Sequence, residues 1–462
     1  MGRNRRRLPR EPVEAEVTAL SHEGRGIAHD RGRPVFIDGA LPGERVRFRY
    51  HKLRRSRGEG AAQEVVAPSP RRIEPGCPHF GYCGGCALQH LSGLEQRRHK
   101  ETVVAELLER TGRVTPGRWL DPLTGPEWGY RRRARLAVKD VPGKGGVLVG
   151  FRERHSPYVA VLNRCPVLDP RVGEHLHELR AAVQALSCRD RIPQIEVACG
   201  DDRVGLVFRH LDALNAADAE CLADFARETG FAVYSQPGDE STLTPIHPEA
   251  PRLSYDLPEW GVQLEFLPTD FVQVNAAVNR KMVAQALEWL QPEEGRRILD
   301  LFCGLGNFSL PLASRGAEVH GVEGDAGLVA RARRNAEAQG LPARFLQADL
   351  TRPEEIAQAG AESYDAVLLD PPRTGAAEVL PAIAASGARR VVYCSCGPAT
   401  LARDAGTLVH EYGLSLTAVG IMDMFPHTAH VEAFAVLDRA PEERRGERNG
   451  TSFSGAEPAA LP

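Results

Sequence analysis

ILDLFCGLGNFSLPLA, Ile298 to Ala313, reads as an apolar run, a glycine-rich turn and the apolar start of a helix. An apolar run without alternation fits a strand buried on both faces, and Gly304 and Gly306 let the turn approach a ligand closely. The same grammar repeats on either side. A helical stretch near Val278 to Leu290 precedes it; EVHGVEG, RFLQADL, YDAVLLD and RRVVYCSC follow, with helical text between them. Strands alternating with helices predict a mostly parallel sheet covered on both faces, an α/β domain over residues 266–440. Chemistry in such sheets gathers at the C-terminal strand ends, and here those ends carry Glu323, Asp349, Asp370 and Cys396.

The whole chain bounds the class. Its 462 residues are enough for about three domains. With 42% hydrophobic and 26% charged residues and no apolar run near the ~18 residues that span a bilayer, a channel or transporter is excluded and no membrane partner is expected. The start, MGRNRRRLPREP, has the positive charge of a secretion signal but no apolar stretch behind it, so a cytoplasmic protein is expected. Its ten cysteines are then read as thiols, metal ligands or nucleophiles. Net charge is −3, yet residues 1–60 hold 15 Lys/Arg against 8 Asp/Glu, a basic module on an acidic body. No obligatory protein partner is indicated.

Residues 1–10 read as a basic tail, and 11–69 as a small barrel of the OB type, five short β-runs broken by turns. Within it Arg45, Arg47 and Arg49 alternate with Val46 and Phe48, either a phosphate-tracking face or an ordinary exposed strand. The linker VAPSPRRIEPG leads into a central α+β region, 70–265, whose helix over Leu91 to Gly112 is expected to pack on the catalytic domain. Residues 441–462 are polar and expected to be disordered.

The chemical motifs leave choices open when read alone. Ser309 replaces the third glycine of G-x-G-x-x-G, so the turn serves either a dinucleotide or S-adenosylmethionine, with Glu323 toward a ribose and Asp349 toward an adenine. LDPPR puts Arg373 where exocyclic-amine methyltransferases carry an aromatic residue. Cys396 leaves its strand just before Gly397 and Pro398, where neighbouring N–H groups are expected to favour the thiolate; Cys394 should be a buried core residue. Glu432, between Val431 and Ala433, is either a paired core acid or a catalytic base. Cys77-x5-Cys83-x2-Cys86, with Cys165 far downstream and Pro166 after it, supplies four thiolates suited to zinc or to an iron–sulfur cluster.

HEGRGIAHDRGRPVFIDGALPGERV resembles a TRAM domain, an RNA-binding barrel. FVQVN, LDLFCGLGNFSLPLA, VEGD, LDPPR, SCGPATLARD and FPHTAHVE resemble the RNA uracil-5-methyltransferases in the expected order across the C-terminal half. With both barrel and cysteines, the chain resembles the TRAM-bearing 23S rRNA (uracil-5-)-methyltransferases over nearly its whole length; the tRNA enzymes lack both features, and a second rRNA group lacks the barrel. The resemblance implies three parts: an N-terminal OB-like barrel, a central α+β iron–sulfur domain and a C-terminal Rossmann-like class I methyltransferase domain. It implies S-adenosylmethionine as methyl donor, held by Gln273, Phe302, Asn307, Glu323, Asp349 and Asp370. Cys396 would add to carbon 6 of a uracil in 23S rRNA, and Glu432 would remove the carbon 5 proton. A [4Fe-4S] cluster would sit on Cys77, Cys83, Cys86 and Cys165, and YRRRARL (Tyr130 to Leu136) would belong to the RNA surface. Gly397 stands where the family usually has Asn, and Pro372 where it often has Ala. The rivals are the same chemistry on tRNA or another rRNA uridine, an RNA-binding protein without catalysis, and an amine methyltransferase that would leave Cys396 without a task.

Overall fold

The computed structural model describes residues 8–352, 355 and 363–439. The arginines before Leu8 and the polar stretch 441–462 lie outside the described residues. At the N-terminus β1 (Val13–Leu20), β2 (Gly26–Asp30), β3 (Arg33–Asp38), β4 (Arg45–Leu53) and β5 (Gly58–Ala67) close into a barrel in the order β1-β2-β3-β5-β4. Closure removes the free edges that a small sheet would expose. The alternation in β4 sends Val46, Phe48 and Tyr50 inward and leaves Arg45, Arg47 and Arg49 exposed. These arginines are not equivalent, which corrects the reading of one uniform phosphate face. Arg45 and Arg47 each stand 3.3 Å from Glu14, and Arg47 also 3.0 Å from Glu64, while Arg49 has no acidic partner among the described residues.

Helix α1 (Gly93–Leu107) begins on Ser92, whose hydroxyl accepts from Glu95 N, and runs on through a wider π-helical turn to Gly112. Its Val103 and Val104, with Leu108 beyond them, join the same core as Leu301, Val367 and Leu401 of the C-terminal domain. The short β6 (Arg118–Trp119) then pairs with that domain's sheet. The chain therefore braces the C-terminal domain before it builds its own middle.

The middle is a six-stranded sheet in the order β12-β11-β10-β9-β7-β8. Its strands are β7 (Arg133–Val141), β8 (Gly146–Gly150), β9 (Gln194–Cys199), β10 (Val204–Arg209), β11 (Ala232–Gln236) and β12 (Thr244–His247). Helices α2 (Pro170–Gly173), α3 (Leu176–Ala185) and α4 (Ala216–Thr229) belong to the same unit, where Leu179, Val183, Leu222 and Phe225 share a core with Leu136 and Val197. A hairpin, β13 (Leu253–Leu257) and β14 (Val262–Phe266), leans on the last domain through Tyr255 and Leu264.

That domain contains α5 (Ala276–Leu290), β15 (Arg297–Leu301), α6 (Ser309–Ser314), β16 (Glu318–Glu323), α7 (Ala326–Ala338) and β17 (Ala343–Gln347). It continues with β18 (Ala366–Leu369), α8 (Leu380–Ala385), β19 (Arg390–Ser395), α9 (Pro398–His410), β20 (Leu414–Met422) and β21 (Glu432–Arg439). The sheet order is β17-β16-β15-β18-β19-β21-β20-β6, parallel from β17 to β19, with β21 antiparallel to both its neighbours. Val367, Leu368 and Val392 are fully buried because cores cover both faces, which is why these strands lack alternation. The winding reverses between β15 and β18, and a crevice opens above their C-terminal ends.

Candidate active site and thiol cavity

A cavity of about 520 Å³ fills that crevice. Gln273, Phe302, Asn307, Glu323, Asp370, Cys396 and Glu432 all line it. Asp349 does not: it follows β17 and its carboxylate accepts from Thr351 N at 2.9 Å and from the Thr351 hydroxyl at 2.6 Å.

The turn after β15 is held in left-handed backbone, with φ 63 at Phe302 and 96 at Gly306, where a Cβ would also press to 3.0 Å from Leu310. Glu323 clamps it, accepting from Gly304 N at 3.1 Å and from Asp325 N at 3.0 Å. Asn307 is fixed by a reciprocal amide pair with Asn279, both bonds 2.9 Å, and by the Tyr255 hydroxyl at 3.0 Å. Beneath the turn Asp300 is wholly buried and accepts from the Ser309 hydroxyl. Ser309, the departure from the dinucleotide pattern, is thus the donor this buried acid requires.

Three carboxyl groups here are reluctant to ionise. Burial pushes Asp300 up to about 7 and Asp370 up to about 7, the latter opposed by Gln273 Nε2, which donates to it at 3.2 Å. Burial, then Asp370, pushes Glu432 up to about 8, against the pull of Lys100 and Arg373. The Cys396 thiol is pushed up to about 11 by burial, Glu432 and Asp370 in that order. This overturns the expectation of a thiolate favoured by nearby N–H groups: the resting thiol keeps its proton, its Sγ 3.9 Å from Pro371 O.

The loops after β18 and β19 are locked together at Gly397. A Cβ there would lie 2.7 Å from Thr400 Oγ1 and 3.0 Å from Arg373 O, so any other residue at this position requires the Thr400 side chain and the Arg373 loop to shift. Ser395 Oγ accepts from Gly397 N at 3.1 Å, and buried Asp404 accepts from Ala376 N and the Tyr393 hydroxyl, both at 2.8 Å. Arg373 donates to His430 Nδ1 at 3.0 Å and so sets a cation, rather than an aromatic ring, at the cavity wall. Cys394 is fully buried, one pleat deeper than Cys396. Sequence reasoning missed Tyr255, Asn279, His430 and two residues under Glu432, Lys100 and Asp423. For Lys100 a signal was present, a lysine on the face of α1 that also carries Val103 and Val104.

Cys77, Cys83, Cys86 and Cys165 line a second, small cavity walled by Phe80, Phe151, Leu162, Arg131 and Arg164. All four are free thiols. Burial pushes Cys83 up to about 11 and Cys86 up to about 12, Cys165 is raised as well, and each suffers from the charge of its neighbours. Converging soft donors that cannot ionise together without a cation are chemically suited to a metal group. A third set, Asp38, His51 and His155, comes close together at the barrel's junction with the centre. Arg154 and Arg25 already stand 3.3 and 3.6 Å from Asp38, and the two imidazole rings stack, so these groups tie the two parts to each other.

The sheet order, the glycine turn and the acid-lined crevice define a nucleotide-binding α/β transferase fold carrying an N-terminal barrel. Residues 261–440 match the tRNA (Uracil-5-)-methyltransferase family and residues 6–62 the TRAM domain. The chain is 60% identical to the 23S rRNA (uracil(1939)-C(5))-methyltransferase RlmD of Alkalilimnicola ehrlichii, over 96% of this chain and 100% of the relative. It is 49% identical to the enzyme of the same name from Methylococcus capsulatus, over 94% and 99%. The crystal structure of Pyrococcus abyssi tRNA (uracil-54, C5)-methyltransferase with S-adenosyl-L-homocysteine superposes with a TM-score of 0.70 at 23% identity, covering 92% of this chain and 99% of that one. The chain belongs to the 23S rRNA (uracil-C5)-methyltransferase family, with a TRAM barrel at its N-terminus.

Proposed function

We propose that this protein methylates carbon 5 of a uridine in 23S rRNA, with S-adenosylmethionine as donor. The observation that carries the reading is the meeting of Cys396, Glu432 and the glycine-rich turn in one cavity, in a chain 60% identical to an enzyme of that name. Carbon 5 of uracil is too weak a nucleophile by itself, so Cys396 first gives up its thiol proton to solvent water and its thiolate then adds to carbon 6, loading electron density onto carbon 5. The donor supplies an electrophilic methyl on a positive sulfur and departs as a neutral thioether. Glu432 then takes the carbon 5 proton as a general base, the carbon 5–carbon 6 double bond re-forms and Cys396 leaves with its electron pair. Gln273, Phe302, Asn307, Glu323 and Asp370 hold the donor, with Asp349 at the adenine end. The target base must be unstacked to reach the crevice.

The barrel, residues 11–69, supplies RNA contacts beside the central region, 70–265, and the catalytic domain, 266–440; of YRRRARL, expected at the RNA surface, only Arg135 is exposed, since Tyr130 is buried and Arg132 and Arg133 turn inward to Asp201 and Pro268 O. Cys77, Cys83, Cys86 and Cys165 hold a [4Fe-4S] cluster with a structural role, since methylation of carbon 5 needs no electron. The reaction belongs in the cytosol, where thiols stay reduced. The deciding experiment maps labelled methyl transfer from S-adenosylmethionine onto 23S rRNA fragments and tRNA. 5-Methyluridine in the rRNA is expected; label confined to tRNA, or on an exocyclic amine, overturns the reading.

A further inference from the structure

Lys100 is fully buried, a costly place for an ammonium group. It comes from α1, outside the catalytic domain, yet its Nζ donates to Asp423 Oδ1 at 2.7 Å and to Phe425 O at 2.9 Å. Asp423 directly follows β20, whose last residue, Met422, is the cross-strand partner of Glu432. One helical turn before Lys100, on the same face of α1, Gln96 accepts from His427 N at 2.7 Å. His427 has left-handed backbone, and its carbonyl accepts from Ala87 N and Leu88 N, both at 2.9 Å. Tyr130 donates to Pro426 O at 3.0 Å. Asp423, Phe425, Pro426 and His427, on the segment that leads to Glu432, are thus gripped by the N-terminal half of the chain.

The charges under Glu432 form a small buried network. Asp423 faces two cations, Lys100 and, at 3.7 Å, Arg97, which also reaches Glu127. From the other elements packed around Glu432 come Asp370, the Cys396 thiol, Arg373 and His430, the last pushed down to about 4 by burial. His427 is held neutral by burial in the same way. Lys100 and Arg97 thus match Asp423 and Glu127 in number, and Lys100 is the one of the two cations that is wholly buried on the Glu432 side, where it favours the ionised form of Glu432 through the dry interior.

We infer that Lys100 is a positioning residue for the base: α1 holds an ammonium group, paired with Asp423, behind Glu432 and anchors the segment 423–427, so the proton-removal step depends on a residue outside the catalytic domain. The inference rests on the reading of Glu432 as the base. Two consequences separate it from a packing role. Loss of the charge makes Glu432 a carboxylate only at higher pH, while loss of Asp423 leaves Glu432 as the nearest carboxylate to the lysine and has the opposite effect.

The test is the pH profile of adduct resolution in the full-length protein, followed on rRNA in single-turnover reactions by the decay of the denaturant-resistant protein–RNA species. Lys100→Met should move the acidic limb up by a pH unit or more, Lys100→Arg should leave it near its wild-type position, and Asp423→Asn should move it down. A Lys100→Met enzyme that is slower by one factor at every pH, or an arginine variant shifted as far as methionine, overturns the inference. If Lys100→Met does not fold, Asp423→Asn decides: a downward shift supports the inference and any other result overturns it. Glu432→Gln is run beside them. If it turns over at the wild-type rate, the base assignment itself has failed; if it stalls as the adduct while the lysine variants leave the limb unmoved, only the present inference has.

Discussion

The thiol cavity and the carboxyl cavity both crowd like groups away from water, and they differ in where that leaves the protons. Cys83 and Cys86, pushed to about 11 and about 12, stay protonated at neutral pH until a cation replaces their protons. Asp300, Asp370 and Glu432, at about 7, about 7 and about 8, bracket neutrality, so a proton is given or taken there at little cost. The first environment suits a ligand set, the second suits proton transfer. Burial is the leading cause in both; the outcome differs because the starting affinities of thiol and carboxyl differ.

The largest effect expected from breaking this contrast lies at the one thiol inside the carboxyl cavity. Cys396→Ala should bind rRNA and donor yet lose turnover by at least ~10⁴-fold, the scale seen when a nucleophile is removed. Cys394→Ala, one pleat deeper, should instead cost roughly 1 kcal/mol of stability and little rate. Methylation by Cys396→Ala, measured by mass spectrometry of digested rRNA, would end the nucleophile assignment.

Next is the thiol cavity. Anaerobically purified protein should be brown, and Cys86→Ser should lose the colour, the acid-labile sulfide and roughly 5–10 °C of thermal midpoint, since a group bound only by the folded state stabilises it. Colourless protein with one zinc per chain would assign the cavity to zinc.

A smaller effect sharpens the carboxyl side. Glu432 has a folded value of about 8 against an ordinary 4.5. Between those values the folded state binds the extra proton, so this group's stabilisation is complete below about 4.5 and is lost as pH rises to about 8. Glu432→Gln removes one titrating proton, and the fall in unfolding free energy across that window should flatten by up to ~1.4 kcal/mol per pH unit, read from urea melts. Parallel curves for variant and wild type would mean that Glu432 is already ionised in the fold.

The strands and turns at the crevice were legible because one short apolar strand with a glycine turn leaves little else to predict. Phe302, Asn307, Glu323, Asp370 and Cys396 lie within a few residues of those strand ends, so their convergence follows from topology. Tyr255 and Lys100 do not. Tyr255 reaches Asn307 from a hairpin and Lys100 reaches Asp423 from a helix over 300 positions earlier, contacts no local pattern encodes. The thiolate expectation for Cys396 failed for a related reason: strand-end geometry was visible in sequence, but the burial of the site and the acids opposite came from other strands. Arg45 and Arg47 share that blind spot, because Glu14 and Glu64 sit on β1 and β5.

That last difference yields the smallest expected effect, within the barrel itself. Free Arg49 should contact RNA phosphate, so Arg49→Ala should reduce the slope of log affinity against log salt by about 0.7–0.9, one released counterion. Arg45→Ala and Arg47→Ala should change the slope less, since Glu14 and Glu64 already offset their charge. Glu14→Gln works in the other direction: it frees Arg45 and leaves Arg47 with Glu64 alone, at the cost of an exposed contact worth under ~1 kcal/mol, so binding should tighten at low salt and barrel stability should hardly move. The measurement is rRNA-fragment binding at several salt concentrations for the four variants. Equal slope losses for all three arginines would mean that Arg45 and Arg47 abandon their carboxylates when RNA arrives, and the barrel would then present the uniform face that its alternating sequence implied.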